Sequence, residues 1–209
     1  MPTLVIETAT AACSAALIDS GRVTASAHEV VGRGHAERLV PMVAELLGGA
    51  TPEAILVDCG PGSFTGVRVG IAAARGLAIG WGVPVTGYSS LALLAAQSFA
   101  AHPQRTRLAV VLEGGHGEVF MQVFASPFAA VTPLASLVPQ AALAAIRDLP
   151  IVGSGVRRLL AIDPALDAEE TLLDAAAAAL LAPDERSLPP RPIYGRAPDA
   201  KPAAARTKR

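Results

Sequence analysis

The sequence predicts an α/β protein with two similar lobes. Residues 55–88 alternate a short apolar strand, a glycine-rich turn, a long helix and a second strand. The first half of the chain as a whole is predicted as three strands followed by alternating helices and strands. A strand, an acidic residue, a small-residue turn and a second strand occur at 4–18 and again at 108–124, which indicates a duplicated architecture.

The first lobe is predicted to span residues 1–101. Short apolar runs predict strands over 4–8, 13–18 and 23–30, and the turn at 19–21 joins the last two as a hairpin. Leucine and valine at helical spacing predict a helix over 35–47, which two glycines end. After the central stretch of residues 55–88, a serine at 89 or 90 caps a last helix that runs to 101.

The second lobe is predicted to be smaller, over residues 102–188. Apolar runs predict strands over 108–113 and 118–124, and a helix over 140–148. A short strand then precedes a helix that starts at 155, and an alanine-rich stretch over 169–181 predicts the last helix. Residues 189–209 are rich in proline and basic residues, and we predict a largely disordered tail.

Composition limits the class of protein. Charged residues make up 17% of the chain and the net charge is −1, so no global field indicates a nucleic-acid partner. Glu7 interrupts the first apolar run, and no basic segment precedes it, so we expect no signal peptide and no membrane contact. Cys13 and Cys59 form no CxxC pair, which favours buried thiols in a reducing cytoplasm.

The central turn and helix allow three interpretations. The Gly60-Pro61-Gly62 turn can cradle phosphate at a helix N-terminus that Ser63 or Thr65 caps, although it fits neither GxxxxGK[ST] nor GxGxxG. The helix can instead dock on a partner, because small residues let another backbone come close. The third interpretation is a crossover that packs on its own sheet. The small residues in question are Gly66, Gly70, Ala73, Ala74 and Gly80.

Three stretches resemble a known family. They are Leu-Val-Ile-Glu-Thr-Ala-Thr at 4–10, Gly-His-Ala-Glu-Arg-Leu-Val-Pro at 34–41 and Gly-Pro-Gly-Ser-Phe-Thr-Gly-Val-Arg-Val-Gly-Ile at 60–71. They are similar to the TsaB (YeaZ) family of bacterial tRNA threonylcarbamoyladenosine biosynthesis proteins. The resemblance is specific up to about residue 88 and returns near 192–200. It implies the actin-like ATPase fold, an α/β fold of two lobes, each built on a mixed sheet with flanking helices.

The resemblance also implies a function. It implies a cytoplasmic, non-catalytic scaffold that binds the catalytic paralogue TsaD and the small ATPase TsaE, with no cofactor and no catalytic or metal-binding residue of its own. Threonylcarbamoyl transfer to the adenosine beside the anticodon would then involve tRNA only through the complex. The same helical face is expected to form a homodimer. The interface residues implied are His35, Arg38, Leu39, Gly66, Val67, Gly70, Ile71, Ala73, Ala74 and Leu77.

The resemblance places two expectations on the chemistry. In the paralogue, two histidines bind a catalytic metal, and their positions fall on Ser90 and Leu94 here. A serine hydroxyl is a poor ligand for transition metals and leucine is none. Actin-like ATPases carry an aspartate after the first strand where this chain has a glutamate. A vestigial nucleotide cleft is therefore expected at Glu7, Thr8, Thr10 and Glu113.

Two other functions stay open on the residues alone. One is an enzyme, either a glycoprotease-like metallopeptidase or a small-molecule kinase of the actin-like superfamily. None of the four histidines shows a two-ligand helical spacing, which disfavours the peptidase. The other is RNA binding by the basic residues of the tail, Lys201, Arg206, Lys208 and Arg209, although no aromatic residue for base stacking follows Tyr194.

Overall fold

The computed structural model describes residues 1–146 and 148–195, and its first sheet has five strands in the order β3-β2-β1-β4-β5. The central strand β1 pairs antiparallel with β2 and parallel with β4, and β4 pairs parallel with β5. The carboxyl ends of β1, β4 and β5 therefore meet at one edge of the sheet. The strands are β1 (Thr3–Glu7), β2 (Ala12–Asp19), β3 (Arg22–Val30), β4 (Ala54–Asp58) and β5 (Val85–Tyr88).

Three helices accompany the first sheet. They are α1 (His35–Leu47), α2 (Phe64–Trp81) and α3 (Ser90–Ala101). Glycines in the left-handed conformation end α1 at Gly48 and α2 at Gly82, and each of their N–H groups donates to a carbonyl of the last helical turn. The apolar sides of these helices and the strands form the larger of two cores, which also contains the buried free thiols of Cys13 and Cys59, as predicted.

The second sheet follows the order β11-β10-β6-β7-β8, with β9 also paired to β7. Its centre is the predicted hairpin of β6 and β7, and a smaller core lies between this sheet and two short helices. The elements are β6 (Arg107–Glu113), β7 (Val119–Ala125), β8 (Ala129–Ala130), β9 (Ala135–Leu137), α4 (Pro139–Ile146), β10 (Ile151–Val152), α5 (Val156–Leu160) and β11 (Ala168–Glu169).

The alanine-rich stretch is not the helix that its composition predicted. Its first residue, Glu169, pairs with β10 as part of β11, and only Ala175–Leu180 is helical, as a 3-10 helix. The Asp174 carboxylate caps this turn by accepting from the Ala176 N–H, and the Ala175 N–H donates to the Ser14 hydroxyl at 2.9 Å. Contacts with the first sheet therefore override the helix propensity of alanine. A second 3-10 helix, Pro183–Arg186, follows it.

The chain then crosses the edge of β5 as a segment that we call the strap, residues 187–195. Leu188 exchanges two backbone hydrogen bonds with Gly87, and the Ile193 N–H donates to the Cys59 carbonyl at 2.7 Å. Ile193, which belongs to the predicted disordered tail, is thus hydrogen-bonded to the residue that follows β4, whereas residues 196–209 lie outside the described residues. Within residues 1–146 and 148–195, no helix is long and apolar enough to cross a bilayer.

Candidate site at the strand ends

Two carboxyl groups lie side by side where β1 and β4 end. Glu7 is the last residue of β1 and Asp58 the last residue of β4, and these strands run parallel next to each other. Tyr88 ends the neighbouring strand β5, and Ser90 begins α3 two residues later. Glu7 is 0% and Asp58 1% exposed, so we call these two residues the buried acid pair.

Hydrogen bonds from the surrounding chain satisfy both carboxyl groups. The Tyr88 hydroxyl donates to Glu7 Oε2 at 3.0 Å, and the Ala9 N–H donates to Glu7 Oε1 at 2.6 Å. The Ser90 hydroxyl lies 2.7 Å from Asp58 Oδ1 and 2.8 Å from Oδ2, and the Gly60 N–H donates to Oδ1. The buried acid pair is therefore closed over by groups of the same chain.

Burial raises the pKa of both carboxyl groups, and their neighbours make the two shifts unequal. Loss of solvation, the charge of Asp58 and a hydrogen bond to Asp58 together raise the pKa of Glu7 well above its usual value. Burial also raises the pKa of Asp58, but hydrogen bonds from Glu7, Gly60 and Ser90 oppose that rise. Glu7 is thus the member of the pair that retains a proton to higher pH. Burial likewise raises the pKa of Tyr88 well above its usual value, which keeps its hydroxyl a neutral donor.

The glycine-rich turn is tied to the end of β1. The Ser63 N–H donates to the Ala9 carbonyl at 2.7 Å, and the Thr8 hydroxyl donates to the Gly66 carbonyl at 2.8 Å. The Ser63 hydroxyl caps α2 by accepting from the Gly66 N–H, as the sequence predicted. Because the N–H groups of Gly60 and Ser63 already have acceptors inside the chain, they are not free to cradle a phosphate.

The small residues of α2 face this same site. A Cβ atom at Gly66 would lie 2.0 Å from the Thr8 carbonyl oxygen, and one at Gly70 would lie 2.4 Å from the Thr8 hydroxyl oxygen. Both glycines are therefore required because α2 packs on its own sheet. This is the third of the three interpretations that the sequence left open.

This packing limits the surface that the residues predicted for a partner contact can offer. The predicted interface stays a prediction, but seven of its ten residues are buried in the monomer and expose little surface: His35, Leu39, Gly66, Val67, Gly70, Ile71 and Ala74. The other three, Arg38, Ala73 and Leu77, are half-buried. His35, for example, lies with Nε2 2.9 Å from the Thr10 carbonyl oxygen and 3.1 Å from that of Ala12. Helix spacing alone does not show which side of a helix faces the sheet.

The residues predicted for a vestigial cleft are only partly brought together. Glu7, Thr8 and Thr10 are buried around the end of β1, whereas Glu113 is exposed in the second sheet and forms an ion pair with Arg158 at 2.5 Å. The sequence reasoning missed Asp58 and Tyr88. The sequence shows each of them only at the end of a predicted strand, and which strand ends meet depends on the parallel register of β1, β4 and β5.

The two positions that correspond to the paralogue's metal ligands are occupied by other interactions. Ser90 is bonded to Asp58, and Leu94 is fully buried in the core. In the described part of the chain, no three His, Cys, Asp or Glu side chains are grouped so that they could hold a metal ion.

Comparisons with known proteins agree with this architecture. The fold and the site define an actin-like α/β protein whose strand-end site is closed. A sequence model of the TsaD family, tRNA N6-adenosine threonylcarbamoyltransferase, matches residues 22–134. A solved YeaZ structure from Pseudomonas aeruginosa superposes with a TM-score of 0.74 at 29% identity, covering 92% of this chain and 99% of that one. The chain belongs to the TsaB (YeaZ) family.

Curated relatives match to different extents. The Escherichia coli tRNA threonylcarbamoyladenosine biosynthesis protein TsaB is 41% identical over 127 residues, which are 57% of this chain and 53% of that protein. The chain thus spans about half the length of the TsaB relatives it matches. An uncharacterised protein of Mycobacterium tuberculosis is 31% identical over 98% of this chain and 96% of its own length.

Proposed function

We propose that this chain is a non-catalytic subunit in threonylcarbamoylation of the tRNA adenosine beside the anticodon. Family membership supports the pathway, because relatives are named as threonylcarbamoyladenosine biosynthesis proteins and the matching family model is that of the transferase. The role within the pathway rests on one observation, which is the closed strand-end site.

A closed site argues for a supporting role. A group that attacks, protonates or orients a substrate must reach it at hydrogen-bond distance. Glu7, Asp58, Tyr88 and Ser90 instead bond to one another and are all buried. Where an actin-like enzyme would use the strand ends for chemistry, this chain uses them to hold the turn before α2. The site therefore stabilises the start of a helix and presents no reactive group.

The outward side of α2 is the surface that we assign to the partners. Ala72, Gly76 and Gly80 repeat at four-residue spacing on this side, and a Cβ atom at either glycine would meet nothing within 4 Å. Ile79 is 85% exposed beside them, and Val40 is 51% exposed on α1, which packs against α2. Small residues allow a partner helix to approach closely, and the exposed apolar side chains add contact area. We propose that this face binds a TsaD-like catalytic subunit or a second copy, and that a TsaE-like ATPase joins the pair.

Gly76→Leu should weaken that pairing without harming the fold. The position is open, so leucine fits the monomer and adds about 1 kcal/mol of helix stability relative to glycine. An added side chain in a packed contact costs about 1–3 kcal/mol, so the catalytic subunit should bind about 5- to 150-fold more weakly. Titration calorimetry with the purified catalytic subunit measures this. The matched variant Gly76→Ala gains the same helix stability with far less added volume, and equal affinities for the two variants would remove this face from the interface.

An omission experiment tests the function as a whole. Threonylcarbamoylation of tRNA is reconstituted from the adenylate-forming enzyme, the catalytic subunit and the small ATPase, with and without this chain. Loss of product only when the chain is omitted, and no product from the chain alone, is the expected result. Full product without it would contradict the proposal, and product from the chain alone would make it an enzyme.

A further inference from the structure

Positive charge is gathered in one region of a chain whose net charge is only −1. Residues 59–112 contain no Asp or Glu, and α2 carries Arg68 and Arg75 within this region. The sequence from 187 to 209 contains a single acidic residue, Asp199, against six basic ones. The strap brings the start of this second acid-poor segment onto α2.

Two arginines of α2 make the contact with the strap. Arg75 donates to the Pro190 carbonyl at 2.6 Å, and Arg68 donates to the Tyr194 hydroxyl at 3.0 Å. The Arg68 guanidinium also lies 3.2 Å from the centre of the Phe64 ring. Phe64 is 69% and Tyr194 60% exposed, so each ring still offers surface to a partner. We call Phe64, Arg68, Arg75, Arg191 and Tyr194 the basic corner.

The arginines of the basic corner have no acidic partner among residues 1–146 and 148–195. Some arginines elsewhere in the described chain are paired, as Arg38 is with Glu29 and Arg158 with Glu113. None of the described ion pairs includes Arg68, Arg75 or Arg191. Charge without a counter-charge next to exposed aromatic rings fits a partner that is both anionic and rich in planar groups.

We propose that the basic corner binds RNA, with the arginines on phosphates and the Phe64 and Tyr194 rings stacked on unpaired bases. Single-stranded loops are the part of RNA whose bases are free to stack, and arginine and aromatic side chains are the groups that receive them. An acidic protein would complement the charge of the arginines but would not explain the two exposed aromatic rings. Arg68 lies four residues before Ala72 on the same row of α2, so the basic corner adjoins the small-residue stripe of Ala72, Gly76 and Gly80, and binding of RNA and of the catalytic subunit must be measured separately. In naming a tRNA loop as the source of RNA, the inference rests on the proposed function.

The test uses a fluorescein-labelled anticodon stem-loop RNA, titrated with the full chain alone and with the chain bound to the catalytic subunit and the ATPase. The triple variant Arg68→Ala, Arg75→Ala and Arg191→Ala should bind at least tenfold more weakly in both settings. Each lost phosphate contact removes about 0.7 from the slope of log K against log salt, so the slope should fall by about 2. The matched control changes three exposed arginines elsewhere, Arg22, Arg33 and Arg107, to alanine, and it should keep the wild-type slope.

A second variant separates stacking from charge. Phe64→Ala with Tyr194→Ala should weaken RNA binding about tenfold and leave the salt slope unchanged, because base stacking is not ionic. Both side chains are mostly exposed, so the variant should fold, and its thermal melting temperature is the check. The inference would be overturned if the control variant with three arginine substitutions lost as much RNA affinity as the corner variant. It would also be overturned if Phe64→Ala with Tyr194→Ala bound RNA as the wild type does. A third contradicting result would be corner variants that bind RNA normally but no longer bind the catalytic subunit, because the corner would then be a protein contact.

The outcome is independent of the omission experiment. If the chain is required for modification but the corner variants bind RNA as the wild type does, this inference fails and the proposed function stands. If the chain is dispensable for modification but the corner variants lose affinity for RNA, the proposed function fails and the inference that the corner binds RNA stands.

Discussion

Gly66→Ala is expected to lower the free energy of unfolding by about 3 kcal/mol. The added methyl group would lie 2.0 Å from the Thr8 carbonyl oxygen, a backbone atom that no side-chain rotation can move. The clash can be relieved only if α2 shifts away from β1, and that shift strains the hydrogen bond from the Thr8 hydroxyl to the Gly66 carbonyl. Over-packing a buried contact typically costs about 1–3 kcal/mol, and a backbone contact belongs at the upper end. Urea denaturation followed by circular dichroism measures the change.

The same helix supplies the control. Gly76→Ala makes the identical chemical change where nothing lies within 4 Å, so it should stabilise the protein by about 1 kcal/mol. At Gly70, a Cβ atom would meet the side-chain oxygen of Thr8, so Thr8→Ala should rescue Gly70→Ala in part and should not rescue Gly66→Ala. If Gly66→Ala and Gly76→Ala had equal effects, α2 would not pack on β1 as described.

The sequence predicted the first sheet and its helices well because their signals are local. Apolar runs with turn residues between them located β1 to β5, and a serine cap located the start of α2. The second hairpin, β6 and β7, was found for the same reason. These elements depend on nearest neighbours along the chain, which a sequence displays directly.

The orientation of α2 was not visible in the sequence because the helix has small residues on two sides. Gly66, Gly70 and Ala74 face the sheet, whereas Ala72, Gly76 and Gly80 face outward. Both sets of small residues repeat every four positions, so the spacing does not tell which set faces the sheet. The substitution Gly70→Leu, which the spacing suggests as a test of a partner contact, would disturb the fold instead, because a Cβ atom at that position would lie 2.4 Å from the Thr8 hydroxyl oxygen.

Long-range contacts explain the other two points at which the sequence-based prediction and the structure differ. The alanine-rich stretch favours an α-helix by propensity, but Glu169 pairs with β10 and Ala175 bonds to Ser14, which lies far away in the sequence. The partners of Glu7 were missed for a similar reason. Asp58 and Tyr88 meet it only through the parallel register of β1, β4 and β5, and no local pattern encodes that register.

Glu7→Gln is expected to remove a pH dependence of stability. The pKa of Glu7 is raised well above its usual value in the folded protein, so the folded state retains a proton that the unfolded state has released. The resulting stability is fully present below the unfolded pKa and is lost as pH rises through the folded pKa. Its slope reaches at most about 1.4 kcal/mol per pH unit. Glutamine cannot titrate, yet its amide can donate to Asp58 in place of the carboxyl proton.

The measurement is the free energy of unfolding between pH 5 and pH 8 for the wild type, for Glu7→Gln and for Glu37→Gln, which changes an exposed carboxyl on α1. The free energy of unfolding of Glu7→Gln should rise steadily relative to that of the wild type as pH rises. Glu37→Gln should show the same pH dependence as the wild type. Because Asp58 and Tyr88 face Glu7 and are retained in both variants, any slope that survives in Glu7→Gln belongs to them and to the rest of the chain. Parallel curves for Glu7→Gln and the wild type would mean that Glu7 is ionised in the folded state, and the buried acid pair would then carry two charges.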